Sequence, residues 1–189
     1  MNKPIKNNST IEAIFESWDE RLGNARSPYL GHVYRVFNFT AILLEQSAGL
    51  DDYGGRDAAL EIIAIADCFH DVGIWLDNSF DYLLPSSGHA VAWLEENGKP
   101  EWIEPVEAII EYHHKLTPYR GPHAELVEPF RKADLVDVSL GTMRAGLSKA
   151  FVREVRAAFP NAGFHKLLLK ESTRWFLRHP FNPAPMMRR

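Results

Sequence analysis

The 189-residue chain contains only one cysteine, Cys68, so an internal disulfide bond is excluded. Cys68 lies in the most apolar stretch of the sequence, and a reduced thiol of this kind is typical of cytoplasmic proteins. The first ten residues contain no apolar segment that could serve as a signal peptide. No apolar run approaches the roughly 18 residues of a membrane span. We therefore expect a cytoplasmic protein with no membrane partner.

Positive charge is also scarce, because 21 Lys and Arg residues face 25 Asp and Glu residues and the net charge is -4. This balance argues against general nucleic-acid binding, although a local basic cleft would be compatible with it. Strand-like alternation, internal repeats and low-complexity segments are missing as well. Hydrophobic residues make up 46% and charged residues 24%, as in ordinary globular domains. The length suits one domain with a sizeable core.

Apolar periodicity predicts seven or eight helices in a single all-α domain covering residues 1–189. The expected core comprises about residues 28–140, followed by C-terminal helices and a proline-rich tail in 141–189. The predicted helices cover about residues 9–21, 29–46, 57–75, 89–96, 100–115, 124–140, 148–159 and 164–178. We expect the tail from about residue 180 to be extended.

The helix predicted over 57–75 is apolar nearly all round, which favours a position in the middle of the core. It nevertheless contains His70-Asp71, with Asp67 one turn earlier, and Gly73 is expected to end it. Burying such ionisable groups costs several kcal/mol, very roughly, unless they are paired or coordinate a metal. The alternative is a hydrogen-bonded core histidine beside a solvated aspartate.

Other helices also place a histidine or aspartate at an inward or end position. These residues are His32, His89, His113 or His114, and Asp134. Each alone is more often a hydrogen-bonded core or surface residue. Together with His70-Asp71 they favour a shared site, because imidazole and carboxylate ligands suit Mn, Fe, Ni, Zn or Mg.

The order His, His-Asp, Asp resembles the HD-domain superfamily of metal-dependent phosphohydrolases. The matching segments are Gly-His-Val-Tyr-Arg-Val at 31–36, Cys-Phe-His-Asp-Val-Gly at 68–73 and Lys-Ala-Asp-Leu-Val-Asp at 132–137. The resemblance covers roughly residues 28–140 and implies an HD-type helical bundle. It also implies that Arg35 braces helix ends near the site. The sequence at 119–122 departs from the Gly-Tyr-Pro signature of the cyclic-dinucleotide branch.

The resemblance implies that His32, His70, Asp71 and Asp134 hold one metal ion. His89 and His113 occupy positions where binuclear members hold a second ion, so one or two divalent ions (Mn, Fe, Ni, Co, Zn or Mg) are expected. Adjacent histidines diverge on a helix, and the spacing from Ile109 and Ile110 favours His113 as the ligand. His70, Asp71 and His114 are the expected catalytic residues, with His114 contacting substrate. Lys115 and Arg120 are candidates for binding phosphate, the alternative being an exposed helix end and loop.

The expected function is a metal-dependent phosphohydrolase that uses metal-activated water on a small phosphorylated molecule such as a nucleotide. One alternative is a di-iron HD-domain oxygenase that cleaves a small organic substrate with dioxygen. A second alternative is a non-catalytic metal- or ligand-binding module. The sequence leaves the substrate, the metal and the oligomeric state open.

Overall fold

Ten α-helices provide most of the regular structure of residues 3–188, the part of the chain that this computed structural model describes. They are α1 Ser9–Glu16, α2 Asp19–Leu22, α3 Arg26–Leu44, α4 Arg56–Phe69, α5 Val72–Leu76, α6 Leu83–Glu96, α7 Ile103–Tyr112, α8 Ala124–Val138, α9 Lys149–Ala158 and α10 Phe164–Arg178. Short 3₁₀ turns occur at Gly23–Ala25, Leu50–Tyr53, Pro100–Trp102 and Pro185–Arg188. Eight of the α-helices have eight or more residues, and residues 3–188 contain no strand, so the all-α prediction is confirmed.

The core is organised around α3, α4 and α8. Helix α3 packs along α8, and α4 lies against α1, α3 and α7. Every residue from Ile62 to Phe69 in α4 is buried, as its apolar sequence predicts. One continuous cluster of buried side chains extends from Ile11 in α1 to Phe164 in α10. The C-terminal helices therefore share the core of the preceding ones, and the described residues form one domain.

The helix predicted over 57–75 is interrupted at the His-Asp pair. Helix α4 ends at Phe69, with His70 as its C-terminal cap, and Asp71 immediately precedes α5. Gly73 lies inside α5 and does not end a helix as predicted. Its amide donates to Ser86 Oγ at 3.0 Å, and a Cβ there would lie 2.9 Å from the carbonyl oxygen of Tyr82. Glycine at 73 thus allows α5 to lie directly against the start of α6.

Other helices also differ from the predictions. Helix α6 begins at Leu83, six residues before its predicted start at 89, and the helix predicted over 9–21 is divided into α1 and α2. The proline-rich tail is not wholly extended, because Met186 lies in a 3₁₀ turn and packs against Ile74, Tyr82 and Leu83. No helix in the described part of the chain is long and apolar enough to span a membrane.

Candidate metal centre

Five buried ligand side chains converge from four regions of the bundle. His32 projects from α3, His70 and Asp71 from the junction of α4 with α5, His113 from the residue after α7, and Asp134 from α8. None of the five is more than 4% exposed. Since isolated charged groups are costly to bury, their common location favours a cation bound among them.

The four residues predicted to hold one metal ion do lie together. His32 Nε2 is 3.0 Å from His70 Nε2, and Asp71 Oδ2 is 3.8 and 3.5 Å from these two nitrogens. Asp134 Oδ1 is 3.7 Å from His32 Nε2. The imidazoles of His32 and His70 and the carboxylate of Asp71 can each offer one ligand atom, all within 4.8 Å of one another. The residues therefore could hold an ion between them.

Hydrogen bonds on the far side of each ring fix which nitrogen faces the centre. His32 Nδ1 donates to Asp137 Oδ2 at 2.8 Å, and His70 Nδ1 donates to the carbonyl of Asp67 at 2.7 Å. His113 Nδ1 donates in the same way to the carbonyl of Ile110 at 2.8 Å. Carboxylate and carbonyl oxygens only accept, so in each neutral ring Nδ1 carries the hydrogen and Nε2 presents a lone pair.

When both rings are neutral, the Nε2 lone pairs of His32 and His70 face each other across 3.0 Å. Burial lowers the pKa of His70 to about 3, so the His70 ring carries no proton on Nε2 at neutral pH. A cation between the two nitrogens would remove the conflict. The observed hydrogen bonds at Nδ1 are those that orient histidine ligands in metal sites.

A second group shares Asp71 with the first. Asp71 Oδ1 is 3.6 Å from His113 Nε2, and Asp71, His113 and His114 form a second set of ligand atoms within 4.8 Å of one another. Neither Asp71 Oδ1 nor His113 Nε2 has a hydrogen-bond partner, although both are buried. Unpartnered buried polar atoms are rare in folded proteins, and a coordinated ion would satisfy both. The donor set thus fits one or two metal ions.

The carboxylates give the centre negative charge at neutral pH. Burial raises the pKa of Asp134 to about 6, although His113 and His32 oppose this shift. Burial acts in the same direction on Asp71, but His70 and His113 outweigh it and hold the pKa of this carboxyl well below its usual range. Burial disfavours the charged form of His113, yet Asp71 and Asp134 raise its pKa. The two carboxylates therefore favour a cation at His113 Nε2, whether a proton or a metal ion.

Asp137 also contacts the candidate site, although the sequence analysis did not single it out. Its Oδ1 and Oδ2 accept from Arg35 Nε and Nη2 at 2.6 and 2.8 Å, in addition to the bond from His32. Arg35 Nη1 also donates to the carbonyls of Phe159 and Pro160, so it braces the end of α9 against this part of the site. The spacing Asp134-x-x-Asp137 on one helix was the available signal, since it places both carboxylates on neighbouring positions of one face.

Tyr82 was also missed, because it lies between the helices predicted over 57–75 and 89–96. Its buried hydroxyl hydrogen-bonds His114 Nε2, while His114 Nδ1 lies 3.9 Å from Asp134 Oδ2. Burial, followed by the nearby charge of Asp71, raises the pKa of Tyr82 well above its ordinary value. The hydroxyl therefore stays protonated at neutral pH and can donate to His114.

His89, which we expected at the second metal, is not brought into either group. Its Nε2 contacts Asp77 Oδ2 at 2.8 Å, with the two side chains 30% and 37% exposed. The inward positions of α6 are Leu83, Ser86, Ala90 and Leu94, so His89 faces away from the core. The physical reason is the helical period, because His89 points about 100° away from the adjacent Ala90, which belongs to the buried stripe.

His113 and His114, the histidine pair, line a cavity of about 300 Å³. Its polar lining comes from His113, His114, Lys115, Arg131 and Asp134, and its apolar lining from Leu116, Leu135, Val138, Met143 and Met187. Lys115 thus lies where a substrate contact was predicted. Arg120 is exposed and does not line the cavity, so its predicted contact with phosphate finds no support in this geometry.

Comparison with known proteins assigns no family: no protein-family model matches the chain, and no curated protein or solved structure matches it either. The helical fold and the buried His/Asp groups are compatible with an HD-type fold and with a metal-dependent function.

Proposed function

We propose that the protein is an HD-type metal-dependent phosphohydrolase that acts on a small phosphorylated molecule. One observation carries the proposal. The imidazoles of His32, His70 and His113 each donate a hydrogen bond through Nδ1, and their Nε2 atoms face the Asp71 carboxylate. His32 and His70 face its Oδ2, and His113 faces its Oδ1. This centre is not a closed structural site, because His113 and His114 line a cavity.

The residues divide naturally into ion-binding and substrate-binding groups. His32, His70, Asp71 and Asp134 would hold the first ion, and Asp71 with His113 would contribute to a second. A divalent cation held there lowers the pKa of a bound water toward ~7 and polarises a phosphoryl oxygen. Both effects accelerate phosphoester hydrolysis, and this is the reaction that we assign to the ligand set.

His114 is placed to act on the substrate. When the Tyr82 hydroxyl donates to Nε2 of the neutral ring, Nδ1 of His114 carries the hydrogen on the side of Asp134. An N–H at the cavity wall can donate to a phosphate oxygen or to the leaving group. This role agrees with the expectation that His113, and not His114, is the principal ligand of the pair.

Lys115 supplies positive charge at the same wall. Its ammonium makes no ion pair with another described residue, whereas each of the three guanidinium nitrogens of Arg131 already donates a hydrogen bond within the protein. Arg131 Nε and Nη2 donate to Glu128, and Nη1 donates to the carbonyl of Lys115. Lys115 is therefore the cation that can attract an anionic substrate, and Arg131 holds the loop that carries it.

Turnover in oxygen-18 water tests the proposal. The protein would be loaded separately with Mn, Co, Ni, Mg and Fe and screened against nucleoside monophosphates and other small phosphoesters. We expect labelled phosphate to be released with or without air, and His114→Gln to lower turnover while metal content is kept. Lys132→Gln, a change of a half-exposed lysine outside the cavity lining, serves as the surface control.

A di-iron oxygenase is the second candidate, favoured by two observations. Asp71 faces both histidine groups, as a carboxylate shared by two irons would, and half of the cavity-lining residues are apolar, which suits an organic substrate. Product formation only in air, with its new oxygen taken from labelled dioxygen, would replace the phosphohydrolase proposal with this one. Two irons per purified chain would point in the same direction.

A further inference from the structure

We infer that the substrate carries a short apolar group, an alkyl chain or a single ring, which binds in the cavity beside the histidine pair. This inference rests on the proposed function for the phosphate end of the molecule. The lining is divided between polar side chains that include the metal centre and five apolar side chains. A molecule that contacts both must itself be polar at one end and apolar at the other.

Four of the five apolar side chains that line the cavity are exposed to solvent. Leu116 is 78% exposed, Met143 54%, Met187 43% and Val138 42%. Single exposed apolar residues need no explanation, but several from separate segments around one opening are typical of a ligand-binding surface. They come from the loop after α7, the end of α8, the loop after α8 and the C-terminal 3₁₀ turn.

The C-terminal turn is held in place by contacts that also involve the site. Met186 packs against Ile74, Tyr82 and Leu83, which fixes the neighbouring Met187 at the cavity. Tyr82 is the residue whose hydroxyl binds His114. Tyr82 therefore contacts both the turn that carries Met187 and the histidine pair. Flexible methionine side chains at the opening suit apolar groups of more than one shape.

The polar atoms of the lining do not favour a nucleobase or a sugar as the second half of the substrate. The three guanidinium nitrogens of Arg131 already bind Glu128 and the Lys115 carbonyl. The other polar side chains of the lining are those of the metal centre, His113 and Asp134, and those proposed to contact the phosphate, His114 and Lys115. At about 300 Å³ the cavity is at the small end of ligand-binding sites. It therefore suits a short apolar group, and the inference narrows the substrate to small amphiphilic phosphoesters.

The test uses two homologous series with the manganese-loaded protein. Hydrolysis of n-alkyl phosphates from methyl to hexyl gives kcat/KM, and calorimetry gives the affinity for the corresponding n-alkyl phosphonates, which resist hydrolysis. We expect both quantities to rise about fourfold per methylene until the cavity is filled, as the burial of one CH₂ predicts.

Two leucines provide matched variants. Leu116→Gln should weaken hexylphosphonate binding several-fold and leave methylphosphonate binding unchanged. Leu177→Gln alters a leucine on α10 that is 75% exposed, close to the 78% of Leu116, and that does not line the cavity. It should leave both affinities unchanged. Met143→Gln repeats the test at a second position of the lining.

The outcomes separate this inference from the proposed function. Equal affinity for methyl- and hexylphosphonate, or no binding of either, overturns the inference. An equal effect of Leu116→Gln and Leu177→Gln also overturns it. Hydrolysis that does not depend on chain length rejects the apolar site and keeps the phosphohydrolase. Binding that increases with chain length, without hydrolysis of any ester, keeps the apolar site and rejects the phosphohydrolase.

Discussion

Asp137 shows how a residue outside the ligand set can control the site. It accepts the Nδ1 hydrogen of His32 and forms a two-bond ion pair with Arg35, all within the buried core. A carboxylate in this position fixes the tautomer and the direction of the ring, which metal-ligating histidines require. The pKa of Asp137 is held well below its usual range because His32 and Arg35 outweigh the effect of burial.

We predict that Asp137→Asn lowers metal affinity about 10- to 100-fold, the usual effect of losing such a partner. The amide keeps the shape of the side chain but can no longer pair fully with Arg35 and orient His32. Competition with a chelator measures the affinity, and circular dichroism checks the helical content. Asp77→Asn is the matched control, since Asp77 binds His89 outside the cluster. Wild-type affinity in Asp137→Asn would show that the hydrogen bond does not orient the ligand.

Asp134 makes the metal-free fold sensitive to pH. Burial raises its pKa from 3.8 to about 6. A carboxyl with a higher pKa in the folded state than in the unfolded state contributes stability below the unfolded pKa. That contribution is lost as the pH rises through the folded pKa. Within the metal-free protein, the Asp134 carboxylate is therefore destabilising at neutral pH.

Asp134→Asn should consequently stabilise the metal-free protein at neutral pH, by on the order of 1–3 kcal/mol. The gain should shrink as the pH falls below 6, and the same variant should bind metal more weakly than the wild type. Urea unfolding at neutral and acidic pH, in the presence of a chelator, measures both trends. A variant less stable than the wild type at neutral pH would contradict the assignment of Asp134 as a strained ligand.

At the level of elements, the break between α4 and α5 places His70 and Asp71 at the same centre. A continuous helix would direct these adjacent side chains about 100° apart. Directly after the break, α5 approaches the start of α6 closely at Gly73. A Cβ at this position would lie 2.9 Å from the Tyr82 carbonyl oxygen and 3.2 Å from Pro85 Cβ.

Gly73→Ala should therefore lower the free energy of unfolding by roughly 1–3 kcal/mol, as overpacking does, and should weaken metal binding by displacing Asp71. Gly88→Ala is the matched control, because Gly88 lies in α6 with no atom within 4 Å of an added Cβ. That change should be neutral or stabilising by up to about 1 kcal/mol. Denaturant unfolding and metal titration of both variants measure the difference. Equal stability of the two variants would show that the approach at Gly73 is not tight.

Apolar periodicity predicted the elements well and their contacts less well. It placed α10 over residues 164–178, as observed, and it placed His32, His70, Asp71 and Asp134 at inward or end positions of the predicted helices, where all four are buried. It did not predict the break after Phe69, because the apolar pattern continues across it. It placed His89 inward because it did not include Leu83 and Ser86 in α6, two of the buried positions that define the inward face.

Apolar periodicity could not predict hydrogen bonds between residues that are distant in the sequence. His32 and Asp137 are 105 positions apart, and Tyr82 and His114 are 32 apart. Neither pair follows from the period of a single helix. A second metal site would depend on such placement as well, because Asp71 comes to lie between the two histidine groups only when α3, α4 and α7 are packed together.

For the whole molecule, the ligands come from four regions that unfolding separates. Metal ions should therefore bind the folded state far better than the unfolded one, which raises stability by mass action. We predict that the melting temperature increases with manganese concentration, with about 2.7 kcal/mol of stabilisation at one hundred times the dissociation constant. Differential scanning calorimetry measures the shift. No shift in the wild type at saturating metal would contradict a site built from the folded core.

The metal content of the wild type and of Asp71→Ala, determined by elemental analysis after reconstitution with manganese, tests the central claim most directly. Asp71 faces His32 and His70 through one carboxylate oxygen and His113 through the other. The wild type should retain one or two ions per chain, and Asp71→Ala should retain almost none while its helical circular dichroism is preserved. Full metal occupancy in Asp71→Ala, or no bound metal in the wild type, would contradict the account.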